Sequence, residues 1–188
     1  MKLLRETIRK ILLTETVYPK IMAMIDKLEE LEGFVKIDGS EVAIRIRKPT
    51  GRTKKLGSVK WGSSPFRKIS CLGAKIVISS EMKMGFGPLA YDVAIEYTGG
   101  LTPDRTAVSG SATRVWDRYL NNRPDVQVSQ LDNDQNLLTP ENEDNCGQRS
   151  AIADQGGDNF WDSSLSKVYK KSGTPVMDEL RKRGMLKE

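Results

Sequence analysis

ISSEMKMGFGPLAYDVAIEYTGG, residues 78–100, holds a strand-like run that feeds two glycines spaced G-x-G, with a helical pattern starting at once behind them. A strand that stops at such a motif before a helix presents backbone N–H groups without intrahelical partners, backed by the positive end of the helix dipole. Gly85 and Gly87 remove side chains that would block close approach, and Lys83 adds a charge. Tight strand-to-helix turns use the same residues for steric reasons alone. The spacing therefore leaves two readings open, a phosphate cradle and a plain turn. The third glycine of a dinucleotide fingerprint and the Lys-Ser/Thr of a P-loop are both missing, which excludes those two sites.

Before this stretch the hydrophobic period is two. GFVKIDGSEVAIRIRK alternates Val42, Ile44 and Ile46 after an Asp38-Gly39 turn, which predicts a hairpin. KLGSVKWGS and AKIVISSE read as a third and a fourth strand, separated by basic, turn-rich loops around KPTGRTKK and SSPFRK. Further back, Val17, Ile21, Met24, Ile25, Leu28 and Leu31 form the stripe of a helix entered at Pro19 and closed by Gly33. MKLLRETIRKILLTE carries Leu4, Ile8, Ile11 and Leu12 at helical spacing with Lys2, Arg5, Arg9 and Lys10 on other faces. That basic helix reads as a docked core helix, a surface-binding arm or an address tag.

After the glycines, Leu89, Val93, Ala94 and Tyr97 share one helical face, Pro88 fits a first turn, and Gly99-Gly100 ends the helix. GLTPDRTAV is a short extended crossover. SGSATRVWDRYLNN is a further helix capped by Ser109 and carrying Ala112, Val115, Trp116 and Tyr119. VQVSQL reads as a strand, Asp132 to Ser164 as a polar extension or loop, and Pro175 to Arg183 as a last helix ending at Gly184.

At 188 residues, with 38% hydrophobic and 29% charged side chains, the chain fits one globular domain. A net charge of +5 comes from nearly balanced signs, so a nucleic-acid footprint would need a local patch. The absence of histidine excludes a Ser-His-Asp triad, a Cys-His pair and every His-ligated metal site. Two cysteines, Cys71 and Cys146, are too few for a disulfide framework, and the apolar run Ile11 to Leu13 is too short for a membrane span. These features together lead us to expect an intracellular, reduced protein without a membrane partner.

The order of elements, helices then an antiparallel meander, strand, G-x-G, helix, crossover and helix, resembles the GNAT acyltransferase superfamily over roughly Glu41 to Leu120. The family signature Gln/Arg-x-x-Gly-x-Gly/Ala aligns with Met82-Lys83-Met84-Gly85-Phe86-Gly87, with Met82 replacing the usual Gln or Arg. The resemblance implies an α+β fold, a three-layer arrangement with a mixed, mostly antiparallel sheet between helices. It further implies acetyl-coenzyme A as cofactor, its pyrophosphate on the loop amides and its pantetheine arm along the preceding strand near Val77. An unidentified amine or protein would accept the acyl group. Trp116 stands where many members have the tyrosine that protonates the leaving thiolate, and Pro88 withdraws one amide from the loop. The wording GPLAYDVAIEY, PDR, RPDV, QLD, LTP, DNC and LSKVY is similar to tailed-phage proteins with this core, and Leu13-Thr14-Glu15 resembles the cleavage site of leaders packaged in phage heads. That likeness implies a place in the host cytoplasm or the virion. With it the chain divides into a basic amphipathic helix or leader over 1–15, a GNAT-like core over 16–131 and a polar extension over 132–188 that ends in a short helix. The alternative it leaves is a non-enzymatic virion or host-interacting protein that keeps the fold.

Acyl transfer to an amine needs a base, an oxyanion donor and an acid. Glu81 is the best-placed carboxylate, or else a solvated strand end. Tyr119, one helical step beyond Trp116, is the candidate acid, or else packing. Asp132, Asp134, Asn136 and Glu143 have the spacing of a calcium loop, but Leu137 stands where its glycine belongs and Pro140 interrupts it, so a polar loop is expected and no metal. Cys71 follows Arg67 and Lys68 and reads as a nucleophile or as a small buried residue. Arg45, Arg47, Arg52, Lys54, Lys55 and Lys60, with Trp61 and Phe66 interleaved, read as a nucleic-acid surface or, in preference, as a solvated sheet face.

Overall fold

A computed structural model describes residues 18–62, 71–132, 139–147 and 159–188. Helix α1 covers 18–30, and its Ile21, Ile25 and Leu28 are buried, as the stripe predicts. The leader expected over 1–15 and Val17 lie outside the described residues. Four strands follow in an antiparallel meander: β1 Gly33–Asp38, β2 Glu41–Arg47, β3 Thr53–Gly62 and β4 Lys75–Met82. The left-handed residue that ends α1 is Glu32, φ 50°, rather than Gly33. Gly33 is needed for space instead, because a Cβ there would fall 2.2 Å from the Leu28 side chain.

Helix α2, Gly87–Thr98, leads to the short strand β5, Leu101–Thr102, and then to α3, Gly110–Asn122, whose Ser109 side chain accepts from the Ala112 amide. Strand β6, Val126–Gln130, is followed by the short α4, Asn159–Asp162, a 3-10 turn over Ser164–Ser166, strand β7, Lys167–Lys171, helix α5, Pro175–Lys182, and strand β8, Leu186–Lys187. The sheet has the order β6-β7-β5-β4-β3-β2-β1-β8 among the described residues; β4 with β5 and β1 with β8 are its parallel pairs. The protein is thus an α+β molecule built on one mixed, mostly antiparallel sheet. The stretch expected to be a polar extension supplies β7, which lies inside the sheet, and α5, which packs on α2. Its described C-terminal part is therefore integral to the core.

Helix α2 is the axis of that core. Every residue from Leu89 to Glu96 is buried, so the helix has no solvated face, and Tyr97, expected inside, is 45% exposed and rests against Trp61. Val35, Ile44, Val59 and Val77 meet α2 from the sheet, each burial contributing roughly 1.5–3 kcal/mol. On the opposite sheet face a second cluster gathers Ile76, Val168 and Leu131 around Cys71 and Cys146. Those two sulfurs are bonded, with Cα atoms 5.1 Å apart, inside the span a disulfide requires. The expectation of two separate thiols in a reduced protein is corrected accordingly. The cysteines are 75 residues apart in sequence, and only the folded sheet, in which β5 joins β4 to β7, brings them together.

Candidate functional site

Strand β4 pairs with β5 only at Lys75 and Ile76, opposite Leu101 and Thr102. Two local features end the pairing. Pro103, next after β5, has no amide to donate, and Asp104 turns the chain away by accepting from the Thr106 and Ala107 amides. On the other edge, the β3 register shifts between Lys60 and Trp61, leaving Ile78 as an extra residue that bends β4 outward. From Val77 to Met82 the β5-facing edge of β4 has no strand partner among the described residues. Ile78 is 52% exposed there, and Ser79, Ser80 and Glu81 are exposed as well.

The open edge runs directly into the loop. Met84 and Gly85 are both left-handed, φ 59° and 80°, a run that turns successive amides toward one side. The Lys83 amide donates to Leu56 and the Phe86 amide to Lys83, whereas the amides of Met84, Gly85 and Gly87 have no acceptor among the described residues. The two glycines differ in cause. Gly85 is required by its backbone angle. Gly87 has no such angle, and a Cβ there would meet only Met82 at 4.0 Å. Neither strain nor packing explains it. Phe86 anchors the loop in the core, and Met84 is 50% exposed above it. Lys27 of α1, which the sequence pattern gave no reason to single out, reaches the Met84 carbonyl and lies over the Phe86 ring. Lys83 stands beside Glu81 at 4.0 Å, both exposed.

The structure does not bring Glu81 and Tyr119 together. Glu81 pairs in register with Ser58 on the outer face of the sheet, away from α2. Tyr119 is 1% exposed on the inner side, where its hydroxyl donates to Asp92 Oδ1 at 2.7 Å and lies 3.4 Å from the Pro88 carbonyl oxygen. Burial, with the Asp92 charge beside it, pushes the phenol well above its ordinary range. Val77 and Met82 point inward toward α2. So does Ser80, whose hydroxyl accepts from Tyr91 at 3.0 Å. Tyr91 is thus the phenol that touches β4 itself; burial also raises its pKa. Trp116 stacks on Tyr169 and presents its face or edge to Tyr91, so it is packing.

Behind Tyr119 lies a lattice of charges on the buried side of α2. Arg123 donates to Asp92 Oδ1 and to both oxygens of Asp125, and Lys171 donates to Glu96. Glu96 also accepts the Val176 and Met177 amides at the start of α5. Burial raises the Glu96 pKa despite Lys171, while in Asp125 the burial effect is outweighed by Arg123, which holds that carboxyl below its usual range.

The other candidates resolve more simply. Trp61 is buried against Tyr97, Phe66 lies outside the described residues, and Lys55 and Lys60 pair with Glu41, so the aromatic interleaving of a nucleic-acid surface is not formed by Trp61. Asp134 and Asn136 lie outside the described residues; Asp132 accepts the Thr139 amide, and among the described residues no three Asp, Glu or Cys side chains are grouped to hold a metal. Cys71 is in the disulfide and has no free thiol. No helix among the described residues is long and apolar enough to cross a membrane. No known protein family, no curated protein and no solved structure matches the chain.

Proposed function

We propose that this chain binds an acyl-coenzyme A along the open edge of β4 and the loop behind it, and transfers the acyl group to an amine in the manner of the GNAT superfamily. One observation carries the reading: an unpaired strand edge from Val77 continues without interruption into a loop whose Met84, Gly85 and Gly87 amides have no acceptor among the described residues. An extended pantetheine arm carries amides that can pair with such an edge, and a pyrophosphate is the anion that a helix N-terminus with free amides attracts. Gly87 supports this, since a ligand approaching the backbone gives the missing side chain a reason. Lys27 and Lys83 add positive charge beside the phosphates. In the reaction the amine nitrogen attacks the thioester carbonyl, the C–S bond breaks, and the proton lost by nitrogen ends on the departing thiolate. Glu81 is the proposed base and Tyr119 the proposed acid, a role that requires the Tyr119 hydroxyl to leave Asp92 and reach the β4 edge.

A second reading, binding without transfer in a virion or host-interacting protein, is favoured by a separate observation. Glu81 and Tyr119 lie on opposite sheet faces, and the Tyr119 hydroxyl is engaged by Asp92. Calorimetry with acetyl-coenzyme A, followed by a thiol-release assay with a panel of amines, separates the two. Saturable binding with thiol release supports transfer, and binding without release supports the second reading. No heat at millimolar acetyl-coenzyme A overturns the coenzyme site.

A further inference from the structure

A cavity of about 420 Å³ opens where the start of α1, the middle of α2, the end of α3 and the β7–α5 connection meet. Its size falls in the range of small-ligand sites, roughly 300–1,000 Å³. No residue of β4 or of the β4–α2 loop lines it, so it is separate from the coenzyme-binding edge proposed above, although Asp92 in its lining also holds the Tyr119 hydroxyl. Ile21, Pro124 and Val176 form apolar walls, and the half-exposed ring of Tyr18 stands among the lining groups. Asp92, Arg123, Asp125 and Lys171 supply the charged side of the cavity.

That charged side is incomplete in two places. Asp92 Oδ2 and Arg123 Nη1 are both buried without a hydrogen-bond partner, although Asp92 is fully buried and Arg123 nearly so. Leaving a buried carboxylate oxygen and a buried guanidinium N–H unpaired costs free energy that a ligand offering one donor and one acceptor would recover. The sign of the ligand follows from the surrounding charges. In the lining Asp92 and Asp125 face Arg123 and Lys171, and Glu96 stands behind it against Lys171, so the lattice as a whole carries one carboxylate more than it has cations. An aromatic ring among the lining groups favours a cation further.

We propose that this cavity binds a small organic amine carrying a neutral oxygen acceptor, its ammonium donating to Asp92 Oδ2, its oxygen accepting from Arg123 Nη1, and its apolar body against Ile21 and Val176. An amino amide or an amino alcohol has that chemistry; a carboxylate or a phosphate does not.

Leucinamide, N-acetyl-leucinamide and 4-methylpentanoate are the probes, titrated into the full chain by calorimetry and thermal shift. Leucinamide binds saturably, and removing its charge by N-acetylation weakens binding at least tenfold. Ser172 lies exposed at the cavity, and Ser172→Trp leaves the melting temperature of the free protein unchanged while abolishing leucinamide binding. Asp92→Asn removes the acceptor directly and also loses binding; because that variant breaks a buried ion pair, Ser172→Trp carries the test if it does not fold. Equal or tighter binding of N-acetyl-leucinamide or 4-methylpentanoate overturns the proposal, as do leucinamide binding that survives Ser172→Trp and the absence of saturation at tens of millimolar.

Discussion

Helix α2 carries two contrasting regions within three turns. At its N-terminus the Met84, Gly85 and Gly87 amides have no acceptor, and the adjoining β4 edge no strand partner, among the described residues. Halfway along, Asp92 and Glu96 are inside the core and tied to α3, β7 and α5 by Arg123, Lys171 and the Val176 and Met177 amides. Unmet hydrogen-bonding capacity is tolerable at the first place because water reaches it, and costly at the second because water does not. The comparison separates a region shaped for stability from one that stability does not explain.

The largest effect should come from the buried lattice. Arg123→Ala leaves Asp92 charged inside the core with Tyr119 as its remaining donor, and should cost about 3–5 kcal/mol in urea denaturation. A loss below about 1 kcal/mol would place Asp92 in contact with water and erase the contrast.

The disulfide comes next. Joining residues 75 apart, it should contribute about 2–4 kcal/mol by restricting the unfolded chain, read as the shift in denaturation midpoint of a Cys71→Ser, Cys146→Ser double variant. Its removal should leave the β4–α2 loop unchanged, since the bond lies on the opposite sheet face. Altered coenzyme binding in that variant would link the two faces.

Acid sharpens the same contrast on a smaller scale. The Asp125 carboxyl is held below its ordinary value of 3.8, so its stabilising contribution is present above that pH and is lost as pH falls through the lower folded value. Asp125→Asn should therefore flatten the acid limb of a stability profile below pH 3.8. Glu96 has the opposite sign: its raised pKa makes stability decline as pH climbs above 4.5 toward the folded value, and Glu96→Gln should remove that decline. Unchanged profiles in both variants would contradict the lattice as drawn.

The smallest stability effects belong to the glycines, and their difference is the useful one. Gly85→Ala forces an L-residue into φ 80° and should cost roughly 1–2 kcal/mol. Gly87→Ala meets no strain and only van der Waals contact with Met82 at 4.0 Å, and should change stability by less than about 0.5 kcal/mol while weakening acetyl-coenzyme A binding. Gly87→Ala that destabilises like Gly85→Ala would make both glycines parts of a turn.

Much of this architecture is legible in local pattern. The Asp38-Gly39 hairpin, the Ser109 cap and the four-strand meander each have a signal within a few residues, and each forms. Strand β7 was hidden because Val168 and Tyr169 are its only large apolar residues, and a short central strand buried on both faces shows no alternation. Helix α2 looked amphipathic because Asp92 and Glu96 resemble a wet face; their partners Arg123 and Lys171 lie 31 and 75 residues away, beyond any periodicity. The disulfide escaped for the same reason of distance. Of the candidate site, the loop glycines were legible, whereas the open β4 edge depends on where β5 stops. The opposed placement of Glu81 and Tyr119 depends on strand register, which side-chain spacing alone did not assign.

Amide hydrogen exchange across residues 77–87, with and without saturating acetyl-coenzyme A, tests the open edge and its loop together. The coenzyme should slow exchange of the Met84, Gly85 and Gly87 amides and of the unpaired amides between Val77 and Met82, and leave the Asp92–Glu96 turn of α2 as protected as before. Unchanged exchange from Val77 to Gly87, or protection confined to other parts of the chain, would contradict coenzyme binding at this edge.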